Sequence, residues 1–135
     1  MIRTLARPML AATFIAGGYS TMTQPERVAP KAEPLIETLA ARVPRMPNDA
    51  ETMVRLNGTV QVVAGVLFSL GFVPRISALA LAGSLLPTTF AGHPFWEIED
   101  PQERAQHLTH FLKNVGMLGG LLLAATEPRT RTSRR

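Results

Sequence analysis

The stretch Leu56-Asn-Gly-Thr-Val-Gln-Val-Val-Ala-Gly-Val-Leu-Phe-Ser-Leu-Gly-Phe-Val-Pro74 contains no charged side chain. A helix on the surface of a soluble protein breaks such a run with charge every third or fourth residue, because one of its faces meets water. This run is instead close to the ~20 mainly apolar residues that a helix needs to cross a bilayer core of about 30 Å. Residues 8–24, 76–96 and 114–126 are also free of Asp, Glu, Lys and Arg. Four such runs in one chain predict an all-α, polytopic membrane protein. The expected architecture is a four-transmembrane-helix bundle with spans at about 5–23, 50–73, 76–90 and 102–126. Residues 1–126 then form a single domain.

Composition agrees. Of 135 residues only 18% are charged, against about 25% in an ordinary soluble domain, and 46% are hydrophobic. This argues against a soluble globular enzyme. The chain has no cysteine, which excludes thiol–disulfide chemistry, Cys-ligated zinc and Cys-held iron–sulfur clusters from its own side chains. Its net charge of +4 does not point to nucleic acid. Arg129, Arg131, Arg134 and Arg135 crowd into the end of the chain, and residues 127–135 read as a basic cytoplasmic tail. The basic start and apolar run of the first segment also describe a signal peptide, with small residues at Ala16-Gly17-Gly18. The three apolar segments that follow favour a retained first span.

Residues 24–49 form a proline-rich connection expected outside the membrane. Within it, Leu35, Ile36, Leu39, Ala40 and Val43 recur at helical spacing, which predicts a short amphipathic helix from Pro34 to Val43 on the membrane surface or capping the bundle. Asn48 or Asp49 is an N-cap for the second span. Pro74 is expected to end that span, and Pro87 to bend the third, beside Thr88 and Thr89. Gly116 and Gly120 form a GxxxG pair that predicts close helix packing on the fourth. Lysine and arginine placement orients the whole. Arg3, Arg7, Arg75 and the tail arginines mark one side as cytoplasmic, whereas the two long connections carry the acids Glu26, Glu33, Glu37, Asp49, Glu51, Glu97, Glu99, Asp100 and Glu103. Both termini are expected in the cytoplasm of a multi-pass plasma-membrane protein.

Polar residues gather in the outer half. His107, His110, Lys113 and Asn114 recur at three- and four-residue spacing on the fourth span, and Arg55, Asn57 and Gln61 sit at similar depth on the second. His93 and Trp96 hang just above them. Polar and ionisable groups in a membrane face a bundle interior or a cavity. Two readings stand for Arg55, Asn57, Gln61, His93, Trp96, His110, Lys113 and Asn114: an interhelical hydrogen-bond network, or a site for a ligand or protons. A quinone or lipid headgroup held by Lys113, His110 and Arg55 fits better than a metal shared by His107 and His110 or a haem between His93 and His110. No metal and no intrinsic cofactor are expected, and a quinone is the compatible one.

Several motifs resemble one family. They are Gln61-Val-Val-Ala-Gly-Val-Leu-Phe68, Gly71-Phe-Val-Pro-Arg-Ile-Ser-Ala-Leu79, Pro87-Thr-Thr-Phe-Ala-Gly-His-Pro-Phe-Trp96 and His110-Phe-Leu-Lys-Asn-Val-Gly-Met-Leu-Gly-Gly-Leu-Leu122. Together they are similar to the DoxX family of membrane proteins, of the type common in actinobacteria. The resemblance implies a four-helix plasma-membrane protein linked to redox stress, in a family associated with thiosulfate oxidation, quinone reduction and an oxidoreductase complex. The implied role is a membrane subunit or scaffold without activity of its own. The alternatives are a quinone-linked oxidoreductase subunit and a small lipid or solute transporter. Implied partners are membrane lipids and redox proteins such as a superoxide dismutase or a sulfurtransferase, with self-association open and nucleic acid excluded. The orientation has a direct check. In intact cells an impermeant thiol reagent labels Thr38→Cys but not Ser133→Cys; the reverse pattern removes the topology.

Overall fold

The computed structural model describes residues 1–127; the expected basic tail beyond Glu127 lies outside the described residues. Five helices follow in order: α1 (Ile2–Thr23), α2 (Ala29–Ala40), α3 (Ala50–Leu70), α4 (Pro74–Gly92) and α5 (Pro101–Thr126). Single 3-10 turns stand at Pro25–Arg27 and Phe95–Glu97. The described residues contain no strand. Among the four long helices, Ala50–Leu70 and Pro101–Thr126 are long and apolar enough to cross a membrane by length and composition.

Local chemistry sets the helix ends. The Asp49 carboxylate accepts from the Thr52 amide at 2.9 Å and that of Asp100 from the Glu103 amide at 2.7 Å, each satisfying an amide that an N-terminus leaves orphaned. α3 stops before the expected Val73. Gly71 takes φ 76°, and the amides of Gly71 and Phe72 fold back on the carbonyls of Phe68 and Leu67 at 3.1 and 2.9 Å. A left-handed glycine closes a helix in this way at little steric cost. Pro74 therefore opens α4 instead of ending α3, where its missing N–H is harmless.

α2 also departs from expectation. It starts at Ala29, with Pro30 in its first turn and Pro34 inside, and ends at Ala40. Pro34 cannot bond the Pro30 carbonyl four residues back, but both prolines are exposed, so water can serve that carbonyl. Its apolar stripe of Ala29, Ala32 and Ile36 is buried, and Ala32 and Ile36 pack with Val54 of α3. α2 thus lies across α3 and α4 as a cap on the bundle.

The long helices stand in the order α1–α3–α4–α5, each packed on the next. Phe14, Phe68, Leu81, Leu85 and Leu121 form the core, and Leu10 of α1 reaches toward Gly120 of α5. Large apolar side chains remain outside on every long helix: Met9 is 76% exposed, Leu70 67%, Ile76 68% and Leu123 72%. The N-terminus, the α3–α4 turn and the end of α5 share one end of the bundle. There Arg3 and Arg7 approach the Glu127 carboxylate at 3.5 and 3.7 Å, and Arg75 donates to the Glu127 backbone carbonyl.

The closest helix crossing lies between α1 and α3 and not at the GxxxG pair of α5. A Cβ on Gly18 would lie 2.7 Å from the Gly58 carbonyl, and one on Gly58 would lie 2.7 Å from the Gly18 carbonyl. A Cβ on Gly116 meets nothing within 4 Å, and one on Gly120 meets only side-chain carbons of Leu10 at 3.6 and 3.9 Å, an ordinary contact. The GxxxG pair of α5 therefore makes no close backbone approach within this chain, because α5 turns other residues, Asn114 and Leu121, fully inward. Gly58→Ala should lower stability in detergent by about 1–3 kcal/mol, since backbone rather than a flexible side chain must yield. Gly116→Ala should be neutral, or stabilising by up to about 1 kcal/mol through helix propensity. Equal melting of the two variants would show that the α1–α3 crossing can relax freely.

Candidate functional site

The site grows from a four-residue spacing on α3. Asn57 and Gln61 are one helical turn apart and share a face, and both amides meet one hydroxyl on α4. Asn57 Nδ2 donates to Thr88 Oγ1 at 3.1 Å and Gln61 Nε2 donates to the same oxygen at 3.2 Å. Thr88 in turn donates to the Ser84 carbonyl at 3.0 Å. Pro87 lies inside α4, and the carbonyl it leaves unpaired is that of Gly83, one residue away from the one Thr88 uses.

Above this group α2 roofs a cavity of about 250 Å³. Leu35, Ile36 and Leu39 of α2 line it, with Met46, Met53 and Val54. Asn57, Gln61 and Thr88 supply its polar wall, and Thr21, Lys31 and His93 complete the polar lining. An apolar pocket with a few convergent polar groups is the usual form of a small-molecule site. An engineered apolar cavity of about 150 Å³ takes up benzene, so this space suits a single ring or a length of acyl chain.

His93 follows the end of α4 and touches two further histidines. Its ring stacks on His110 with centroids 5.0 Å apart and meets His107 edge-on at 5.4 Å. Nδ1 of His93 and of His107 are buried without a hydrogen-bond partner. Burial pushes the His93 pKa below its ordinary value, and the charges of His110, His107, Lys113 and Lys31 push it further the same way. Among the described residues no group of three His, Asp or Glu side chains is placed to hold a metal ion.

The eight residues singled out in the sequence are divided by the fold. Asn57, Gln61 and His93 line the cavity. Asn114 is buried on the other side of α4, donating to Thr89 Oγ1 at 3.1 Å. His110 and Lys113 are exposed and do not line the cavity; His110 rests against His93. Trp96, about half exposed, packs with Phe90, Phe95 and Phe111 at centroid distances of 6.1, 5.2 and 6.2 Å. Arg55 is exposed; with hydrogen bonds from Thr52 as the larger cause, it helps hold the Asp49 carboxyl below the usual carboxylate value. The polar faces of α3 and α5 do not meet, because α4 stands between them. Lys31, Met46 and Met53 were not foreseen. The apolar face of α2 was the available signal, for it had to cover something.

The DoxX family profile matches residues 2–94, and the chain belongs to the DoxX family of membrane proteins. The match takes in α1 to α4 and His93 and leaves α5 outside. No curated protein and no solved structure matches the chain.

His93 gives a pH prediction. Its folded pKa lies below the 6.5 of an unperturbed histidine, so below that pH the unfolded chain binds the extra proton more readily and stability falls as pH drops. Melting temperature should decline from pH 7.5 to 5.5, and His93→Gln should flatten the decline. A slope unchanged in the variant would assign it to other groups.

Proposed function

We propose that the chain is a four-span plasma-membrane protein, with both termini cytoplasmic, that serves as a ligand-holding subunit or scaffold of a redox-linked membrane assembly. Lipid-facing character supports four spans, since large apolar side chains stand outside on all four long helices and lipid is the solvent in which such surfaces carry no cost. Orientation is supported by Arg3, Arg7 and Arg75, which meet at one end of the bundle. Positive charge favours the cytoplasmic side. The absence of cysteine leaves electron transfer to a bound molecule or to partners, of which a superoxide dismutase or a sulfurtransferase is the type suggested by the resemblance.

The observation that carries the ligand-holding role is the cavity beneath α2, whose apolar lining meets one polar wall of Asn57, Gln61 and Thr88. It has the form of a receptacle for a lipophilic molecule with a polar head. The size of the cavity favours a second reading, a quinone-linked oxidoreductase subunit, because a quinone has a ring of the right size on an apolar tail and its reduced form presents hydroxyl donors to the same wall.

Native purification in mild detergent, followed by mass spectrometry of lipids and proteins, tests both. A lipophile in stoichiometric amounts, lost in Leu35→Trp without loss of folding, supports the ligand-holding role. A quinone as that lipophile supports the second reading, and partner proteins in constant ratio support the assembly. Equal lipophile recovery from wild type and Leu35→Trp would remove the cavity from the function.

A further inference from the structure

The hydrogen bonding of the polar wall dictates which head group it accepts. A threonine hydroxyl has one hydrogen to donate and two lone pairs that accept. Thr88 spends its hydrogen on the Ser84 carbonyl, so toward Asn57 and Gln61 it acts only as acceptor. Both amides must then turn their NH2 groups to Thr88, as the 3.1 and 3.2 Å contacts show, and the same constraint fixes where their oxygens are not. No described residue donates to Asn57 Oδ1 or Gln61 Oε1. Neither oxygen is among the atoms that are both buried and unpartnered, although Gln61 as a whole is only 6% exposed. Both oxygens keep some accessible surface, and both residues line the cavity.

From this we infer that the cavity selects an uncharged amphiphile whose head carries hydroxyl hydrogen-bond donors, of the long-chain phenol or alcohol class. The inference rests on the ligand-holding reading of the cavity. An amide carbonyl left facing an apolar space costs free energy until a donor reaches it. A head with an O–H supplies that donor; an ether or ester head of the same size places a lone pair against a lone pair. The Lys31 ammonium is the feature that would favour an anionic head instead, but Lys31 is exposed and hydrated, whereas Gln61 is buried. The unmet acceptors at the wall outweigh a solvated cation at the edge.

The test uses the full chain in lipid nanodiscs and three probes with the same alkyl chain: a 4-alkylphenol, its methyl ether and the corresponding alkyl carboxylate. Binding is measured by equilibrium dialysis and corrected for partition into empty nanodiscs. The phenol should bind about tenfold or more tightly than its ether, as expected when an unpartnered acceptor in an apolar pocket gains its donor. In Thr88→Val the amides are released and can turn their N–H groups inward, so the ratio should fall toward unity. Phenol and ether binding equally to wild type would overturn the inference and leave the ligand-holding reading intact. A carboxylate that binds tightest would overturn it in favour of Lys31. A ratio that survives in Thr88→Val would overturn the amide orientation as its cause. Binding of no probe above empty nanodiscs would overturn the ligand-holding reading itself, and the inference with it.

Discussion

Two glycines set the frame. Gly18 and Gly58 bring α1 and α3 so close that each lacks room for a single added carbon. In lipid no hydrophobic force presses helices together, and association relies on close van der Waals contact and interhelical hydrogen bonds. The crossing also fixes the rotation of α3 about its axis, because Gln61 Cβ lies against the Gly18 backbone. With that rotation set, the Gln61 amide reaches Thr88 of α4, and Asn57 does so from one turn earlier. The wall of the cavity is in this sense an outcome of how α1 and α3 meet.

Much of this architecture could be read from residue order. The uncharged runs located all four long helices, and the last began within a residue of its expected start. Asp49 was legible as a cap because a carboxylate before a helix meets unpaired amides. The proline-rich connection was harder. Pro30 and Pro34 are equally able to begin a helix, and the choice between them falls to the packing of Ala29 and Ala32, which local sequence does not encode. The glycines show the same limit. Spacing on α5 resembled a packing motif as well as anything on α3, yet whether a glycine face is used depends on which helix stands opposite.

The polar residues were legible as a group but not as a site. Depth along the helices placed Asn57, Gln61, Asn114 and the histidines at one expected level, and the last turns of α4 with His93 contact them from both sides. Neighbour order decided the rest. With α4 inserted between α3 and α5, the group separates into a wall open to the cavity and a buried contact at Asn114. His93 bridges the two halves, lining the cavity while resting against His107 and His110. A connection of this kind depends on where α4 ends, which the sequence shows only as a histidine before a proline.

Thr88 and Thr89 are adjacent, and each receives an amide from a different neighbour, Asn57 and Gln61 on one side and Asn114 on the other. Successive residues in a helix are separated by about 100° of rotation and 1.5 Å of rise. Apolar side chains in a bilayer tolerate such a step, since one greasy contact is replaced by another. These three hydrogen bonds do not, because a slip of one residue removes all of them together. The threonine pair therefore works as an index mark. It gives an otherwise slippery helix a single permitted setting, read simultaneously by the helices on either side.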